Sequence, residues 1–265
     1  MNRIVVLLFA MVVGVSAQMF GTDPFGGSQG RSAFDFTVVD TDIDESAFVL
    51  VAEGITNFTQ MVADSTVKAA YLGSNGDTAI VKIRGLVSPS LNYRTQTLLV
   101  DGLDTVATDS TFHIFEASFL DSSMAATTIV FSRMASARNS TNSLLDSISL
   151  NQFVMPVAHK VFGANDSPRL ERIHLNVFST TEGNGIRFEI RVYPMMLTDL
   201  LYTTDYYILD YAYVLPASGE VVLEYGNDDQ RGMILPSPGA IAVMARSDAA
   251  NMTGKVRIVG SRKAR

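Results

Sequence analysis

The sequence predicts a mainly β protein of antiparallel β-sandwich architecture with few helices. It is organised either as two packed sandwich-like domains, 33–138 and 144–261, or as one large β domain over 33–261. Three observations carry the prediction. From Ala33 onward, short runs of Val, Ile, Phe, Tyr and Thr are punctuated by clusters of Gly, Asn, Asp and Ser, the rhythm of all-β chains. Several runs alternate apolar and polar residues strictly, the period of a half-buried strand. Only Ser46–Val62 and Leu144–Lys160 could hold a helix, and neither shows a capped stripe at 3.6-residue spacing.

In chain order, the first strands expected are Val67–Leu72 and Thr78–Leu86. The turn residues Ser74-Asn75-Gly76-Asp77 should join them as a hairpin. Thr97–Val100, Phe112–Leu120 and Thr127–Phe131 follow. The clearest pattern is Ile186–Tyr193, where Ile186, Phe188, Ile190 and Val192 share one face and Arg187, Glu189 and Arg191 the other. Ile173–Phe178 precedes it with the same alternation, and Thr181–Gly185 reads as a hairpin turn between them. Tyr206–Leu215 and Glu220–Tyr225, joined by Ala217-Ser218-Gly219, then Ala240–Ala245 and Lys255–Val259, complete the set. Phe188, Ile190, Val192, Ile208 and Val222 are expected in the core.

The halves resemble one another weakly. Asn75-Gly76, Val81-Lys82-Ile83-Arg84 and Pro89 match Asn184-Gly185, Phe188-Glu189-Ile190-Arg191 and Pro194, and Phe112–Ala117 lines up with Tyr206–Tyr211. A duplication would put the join near Ser136–Ser143, although alternating strands resemble one another readily.

The chain starts with one basic residue, Arg3, an apolar run from Ile4 to Val15 and a small-x-small exit at Val15-Ser16-Ala17. This is the form of a secretory signal peptide over residues 1–17, too short to span a membrane before Gln18. Residues 18–32 then read as a glycine-rich leader. No later run reaches spanning length, and the basic end Arg262-Lys263-Ala264-Arg265 is no lipid-anchor signal. A secreted, extracellular protein without a membrane anchor is expected.

Composition fits. Hydrophobic residues make 47% of the chain and charged residues 18%, enough core material to exclude disorder. The formal charge is −7, and no basic stripe could neutralise several phosphates, which disfavours nucleic acid. Cysteine is absent, so an exported fold must rest on burial alone, and thiol chemistry and cysteine-ligated zinc are excluded. Four sequons, at Asn57, Asn139, Asn165 and Asn251, suit surface loops of a glycoprotein, Asn165 being the poorest acceptor because Pro168 follows it.

Catalytic parts are sparse. His113, His159 and His174 lack the spacing of metal-ligand pairs and read as ordinary histidines. The nearest approach to a serine elbow, Gly26-Gly27-Ser28-Gln29-Gly30, falls in the leader, without the strand and helix that strain such a turn. Glu116, Glu189 and Glu224 lie on separate strands, not on one strand facing a glycosidase cleft. The dense carboxylate cluster, Asp40, Asp42, Asp44 and Glu45, offers hard oxygens to calcium but lacks the EF-hand glycine and glutamate. Calcium is the one cofactor the sequence suggests, and the bland reading is an acidic turn. Tyr193, Tyr202, Tyr206, Tyr207, Tyr211, Tyr213 and Tyr225 could serve recognition on an exposed sheet. Both faces of Tyr206–Leu215 are apolar, however, and that points to core packing.

The sequence therefore points to a non-enzymatic extracellular structural or recognition protein acting through surface contacts. Its partner would be an extracellular protein, a glycan or a further copy of the chain. A carrier of small apolar ligands in a β cavity, and a hydrolase with carboxylates from separate strands, are the alternatives.

Overall fold

The structure, a computed structural model, describes residues 31–52, 64, 66–72, 78–101, 106–123, 128–133, 144–148, 157–178, 183–194, 206–226 and 232–264. The signal-like segment, the leader up to residue 30, Asn57, Asn139 and most of the candidate helix at Ser46–Val62 lie outside these residues. The fold is mainly β and antiparallel, with sandwich packing.

Its first sheet contains β1 (Ser32–Ile43), β17 (Met252–Ala264), β11 (Asp166–Phe178) and β14 (Val221–Glu224) in that spatial order, with β15 (Met233–Ile234) also on β11. The second contains β10 (His159–Phe162), β16 (Gly239–Ser247), β12 (Ile186–Pro194) and β13 (Tyr207–Val214), with β2 (Val49–Leu50) on β16. A third sheet orders β6 (Val106–Ala107), β3 (Val67–Leu72), β8 (Thr128–Arg133) and β9 (Leu144–Ile148). The fourth orders β5 (Asn92–Asp101), β4 (Thr78–Val87) and β7 (Phe112–Ser123).

The first two sheets face each other. Phe34, Phe36 and Val38 of β1, Leu170, Ile173 and Leu175 of β11, and Val256 and Ile258 of β17 meet Phe188, Ile190 and Val192 of β12 and Ile241 and Val243 of β16 in one buried cluster. Phe34 and Phe162 stack at a tilt, 5.6 Å between ring centres. Such a core holds the sandwich without disulfides, each large side chain contributing about 1.5–3 kcal/mol by leaving water.

Two strands lie elsewhere than a linear division at 138–144 would put them. β1 pairs with β17, from Ser32 opposite Arg262 to Ile43 opposite Met252, so the N-terminal strand lies in the sandwich of the C-terminal half. Conversely, β9 pairs with β8.

The three expected hairpins are corrected. β11 and β12, β3 and β4, and β13 and β14 each fall in different sheets, so none of the three pairs forms a hairpin. Each strand instead pairs with a remote segment: β11 with β17, β12 with β16, and β3 with β8. Between β13 and β14 lies a short 3-10 turn, Pro216–Ser218. The two mutually similar segments do occupy like places: β4 pairs with β7 and β12 with β13.

Burial of Phe188, Ile190 and Val192 is complete, but Ile208 and Val222 are corrected: they are 49% and 40% exposed. Val222 lies opposite His174 on the outer side of β11, while Val221 and Leu223 turn to the core. In β13, pairing shifts register between Ile190 and Arg191, which sets Ile208 beside Arg191 on the outer face. A one-residue change of phase moves a side chain across the sheet.

Candidate functional site

The outer face of the second sheet is built in rows by pairing across three strands. Tyr213, Arg187 and Arg246 form the first row; Tyr211, Glu189 and Met244 the next; Ile208, Arg191 and Ala242 the third. These β12 residues alternate with its buried core residues, so the pleat aims them away from the core. Further along, Tyr193, Ala240, Ala242 and Val161 are buried against Leu86 of β4 and Leu91 of the β4–β5 connection. Burial pushes the Tyr193 hydroxyl up to about 12. One end of the face is thus covered by another part of the chain, and the other is open.

The open end corrects the expectation that the Tyr206–Leu215 tyrosines are core. β13 pairs only with β12 among the described residues, and Tyr211 is 79% exposed, with Tyr207 and Tyr213 also exposed. Tyr225 differs: it packs on the core, its hydroxyl 3.4 Å from Asp210 Oδ2. Tyr202 lies outside the described residues. Two apolar faces in the sequence resemble a central strand, but here one serves the core and the other the surface.

Arginines stand between the rings. Arg191 donates to Glu189 Oε2 through Nε at 2.9 Å and Nη2 at 2.6 Å, and its guanidinium lies 4.3 Å from the Tyr206 ring centre and 5.7 Å from that of Phe48. Burial works against its charge, but the interactions with Glu189 and Tyr193 together outweigh it, so its pKa lies above the usual arginine value. Arg246 stacks 5.1 Å from Phe48. Arg187 lies 5.8 Å from the Tyr213 ring and 3.7 Å from Asp248 Oδ1. The Tyr213 hydroxyl donates to Asp248 Oδ2, which holds the Asp248 carboxyl below the usual carboxylate range and raises the phenol. Three guanidiniums therefore share the face with two carboxylates, in a chain of net charge −7.

A second polar cluster is buried where β7 meets β10. Glu116 Oε1 accepts from the Tyr93 hydroxyl at 2.6 Å and from Lys160 Nζ at 2.7 Å, and Oε2 accepts from the Val161 amide at 2.9 Å. That amide belongs to β10, which pairs on one side only among the described residues, so the carboxylate occupies its free edge. Arg262 stacks on Tyr93 at 4.5 Å, and His159 Nε2 meets the Glu116 carbonyl oxygen. Burial would raise the Glu116 carboxyl, yet the Lys160 ammonium and the Tyr93 hydroxyl hold it below its usual value. Lys160 and His159 are lowered by burial against the opposing pull of Glu116. Both carboxylate oxygens are engaged inside the protein, with three accepted hydrogen bonds, an arrangement that ties the strands together.

The remaining candidates are dispersed. Asp40 Oδ1 accepts from the Asp42 amide at 3.0 Å and Oδ2 from the Ala52 amide at 3.1 Å. Burial raises its carboxyl despite those bonds. Asp42, Asp44 and Glu45 are exposed, and among the described residues no three His, Asp or Glu side chains group to hold a metal ion. His113 Nδ1 lies 2.6 Å from Asp64, and His174 Nδ1 3.3 Å from Glu220. Glu189 bridges within its own strand to Arg191, and Glu224 stands exposed opposite Arg172. Asn165 and Asn251 are both exposed in turns; Asn165 donates to Asn92 Oδ1 at 3.0 Å, and Asn251 has φ 57.

Sequence reasoning missed Tyr93, Lys160, Phe48 and Arg246. Lys160 carried a usable signal, a lone charge between Val157-Ala158 and Val161-Phe162. Phe48 and Arg246 gave none, since only tertiary pairing stacks them.

No family model matches the chain, and no curated protein matches it. Among solved structures, a chain from T=1 particles derived from infectious bursal virus is 10% identical over 89% of this chain and 77% of that one, with a TM-score of 0.11. A likeness that slight carries no argument.

Proposed function

We propose that this is an exported, N-glycosylated, non-enzymatic protein that acts through surface contacts, and that its contact surface is the open tyrosine and arginine face of the second sheet. The observation that carries the reading is Tyr211, 79% exposed on an outer sheet face that also carries Arg187, Arg191 and Arg246. Large aromatic rings with a polar tip are common where proteins meet partners, because they bury much area at little conformational cost. The signal-like N-terminus and the exposed sequons at Asn165 and Asn251 support export and glycosylation. The engagement of both Glu116 oxygens by buried donors supports a structural role for that carboxylate.

The test is expression of the full chain in cultured cells that secrete and glycosylate. The protein should be recovered from the medium beginning at Gln18, lose mass on enzymatic deglycosylation, and turn over no polysaccharide or ester. Retention in the cells, or reproducible turnover, overturns the reading.

A further inference from the structure

The first row of the open face sets two arginines directly opposite each other, Arg187 on β12 and Arg246 on β16. Like charges in that relation destabilise a sheet unless something anionic sits over them. Asp248 lies 3.7 Å from Arg187 and acts on Arg246 as well, so a single carboxylate is shared between the two guanidiniums. The Phe48 ring holds the Arg246 guanidinium by one flat side. A guanidinium so held keeps its planar fork of donors ready for a bidentate oxyanion. Beside this row, Tyr211 and Tyr213 stand exposed on the outermost strand.

We infer that this face binds an anionic polysaccharide: Tyr211 and Tyr213 receive sugar rings, and Arg187 and Arg246 receive the carboxylate or sulfate groups. The inference rests on the reading of this face as the contact surface and names the partner's chemistry. Three points favour it. The open rows suit an extended chain. The rings offer the apolar side of a sugar a surface and its hydroxyls a hydrogen-bonding phenol. The arginine excess supplies the one charge preference the face has, in a chain that is otherwise acidic. A nucleic acid, which needs several phosphates neutralised, is poorly served by a single excess cation.

The full secreted protein is titrated by calorimetry with alginate, dextran sulfate and neutral dextran. Either or both anionic polymers should bind, alginate reporting carboxylate and dextran sulfate reporting sulfate preference, and neutral dextran should bind at least about tenfold more weakly. Losing one charge-assisted contact is worth about tenfold or more, so Arg246→Ala should weaken binding by that factor, as should loss of the ring in Tyr211→Ser. Salt should weaken it further. Both variants alter exposed or half-exposed side chains, and an unchanged urea midpoint checks their folding. Equal binding of neutral dextran, binding unmoved by either substitution, or no binding to any polymer overturns the inference. Self-association abolished by Tyr211→Ser, without polymer binding, also overturns it but leaves the contact surface standing. Retention in the cells or turnover removes the underlying reading instead.

Discussion

Glu116→Gln should be among the most destabilising conservative changes in this protein. The carboxylate accepts hydrogen bonds from Tyr93, Lys160 and Val161 while almost wholly buried. Glutamine keeps the shape and one acceptor, so Tyr93 or Val161 can still be met, but the Lys160 ammonium is left charged in the interior. Removing one partner of a buried ion pair costs about 3–5 kcal/mol, most of it the stranded charge. With a urea dependence of about 2 kcal/mol per molar, the midpoint should fall by about 1.5–2.5 M. Asp35→Asn is the internal comparison: Asp35 pairs with Arg257 through Nε at 2.8 Å, with side chains 39% and 45% exposed. Such exposed pairs are worth about 0–1 kcal/mol. Lys160→Met should cost as much as Glu116→Gln, and the double variant far less than their sum, since the second change removes the charge stranded by the first. Equal shifts for Glu116→Gln and Asp35→Asn, or additive single costs, would refute the claim that this pair is desolvated.

Further outcomes follow from the same structure. His159 is buried with its pKa lowered, so below pH 6.5 the unfolded chain takes up a proton that the folded chain refuses; stability should fall on acidification, by at most about 1.4 kcal/mol per pH unit for this one group, and His159→Gln should flatten that slope in pH-dependent urea titrations. Gly260→Ala should destabilise by about 1–3 kcal/mol, because the added methyl would meet the Phe34 ring and the Arg169 carbonyl; a midpoint at or above wild type contradicts that packing. Ile208→Thr, on the open face, should change stability by less than about 0.5 kcal/mol, whereas Ile190→Ala should cost about 2–5 kcal/mol. Chelation of calcium should leave the solution mass unchanged in light scattering, since backbone amides already occupy the Asp40 carboxylate; dissociation of a large assembly would return Asp40–Glu45 to consideration as a metal site.

Strands were legible in the sequence because their period is a local property. Ile186–Tyr193 alternates, and its apolar residues are buried. Partners were not legible. Asn75-Gly76 and Asn184-Gly185 announce reversals, but a reversal in a sandwich either pairs with its own sheet or crosses to the other, and the local chemistry is the same. Core assignment failed for a related reason at Ile208 and Val222, where pairing with β12 and β11 decides which phase faces inward. The open face of the second sheet was half legible: its tyrosines were visible as a group, but their exposure depends on β13 being outermost among the described strands. The Glu116–Lys160 clamp joins strands 44 positions apart, and no periodicity reports a contact of that range.

Pairing of β1 with β17 has a consequence for biosynthesis. About 200 residues separate the two strands, and at a synthesis rate of about 5–20 residues per second the first must wait some tens of seconds for its partner. Until then β1 presents Phe34, Phe36 and Val38, with an unfilled backbone ladder, to whatever surrounds the nascent chain. A truncated product ending before Met252 would keep that exposure permanently, so premature termination should yield aggregation or degradation in place of a smaller folded protein.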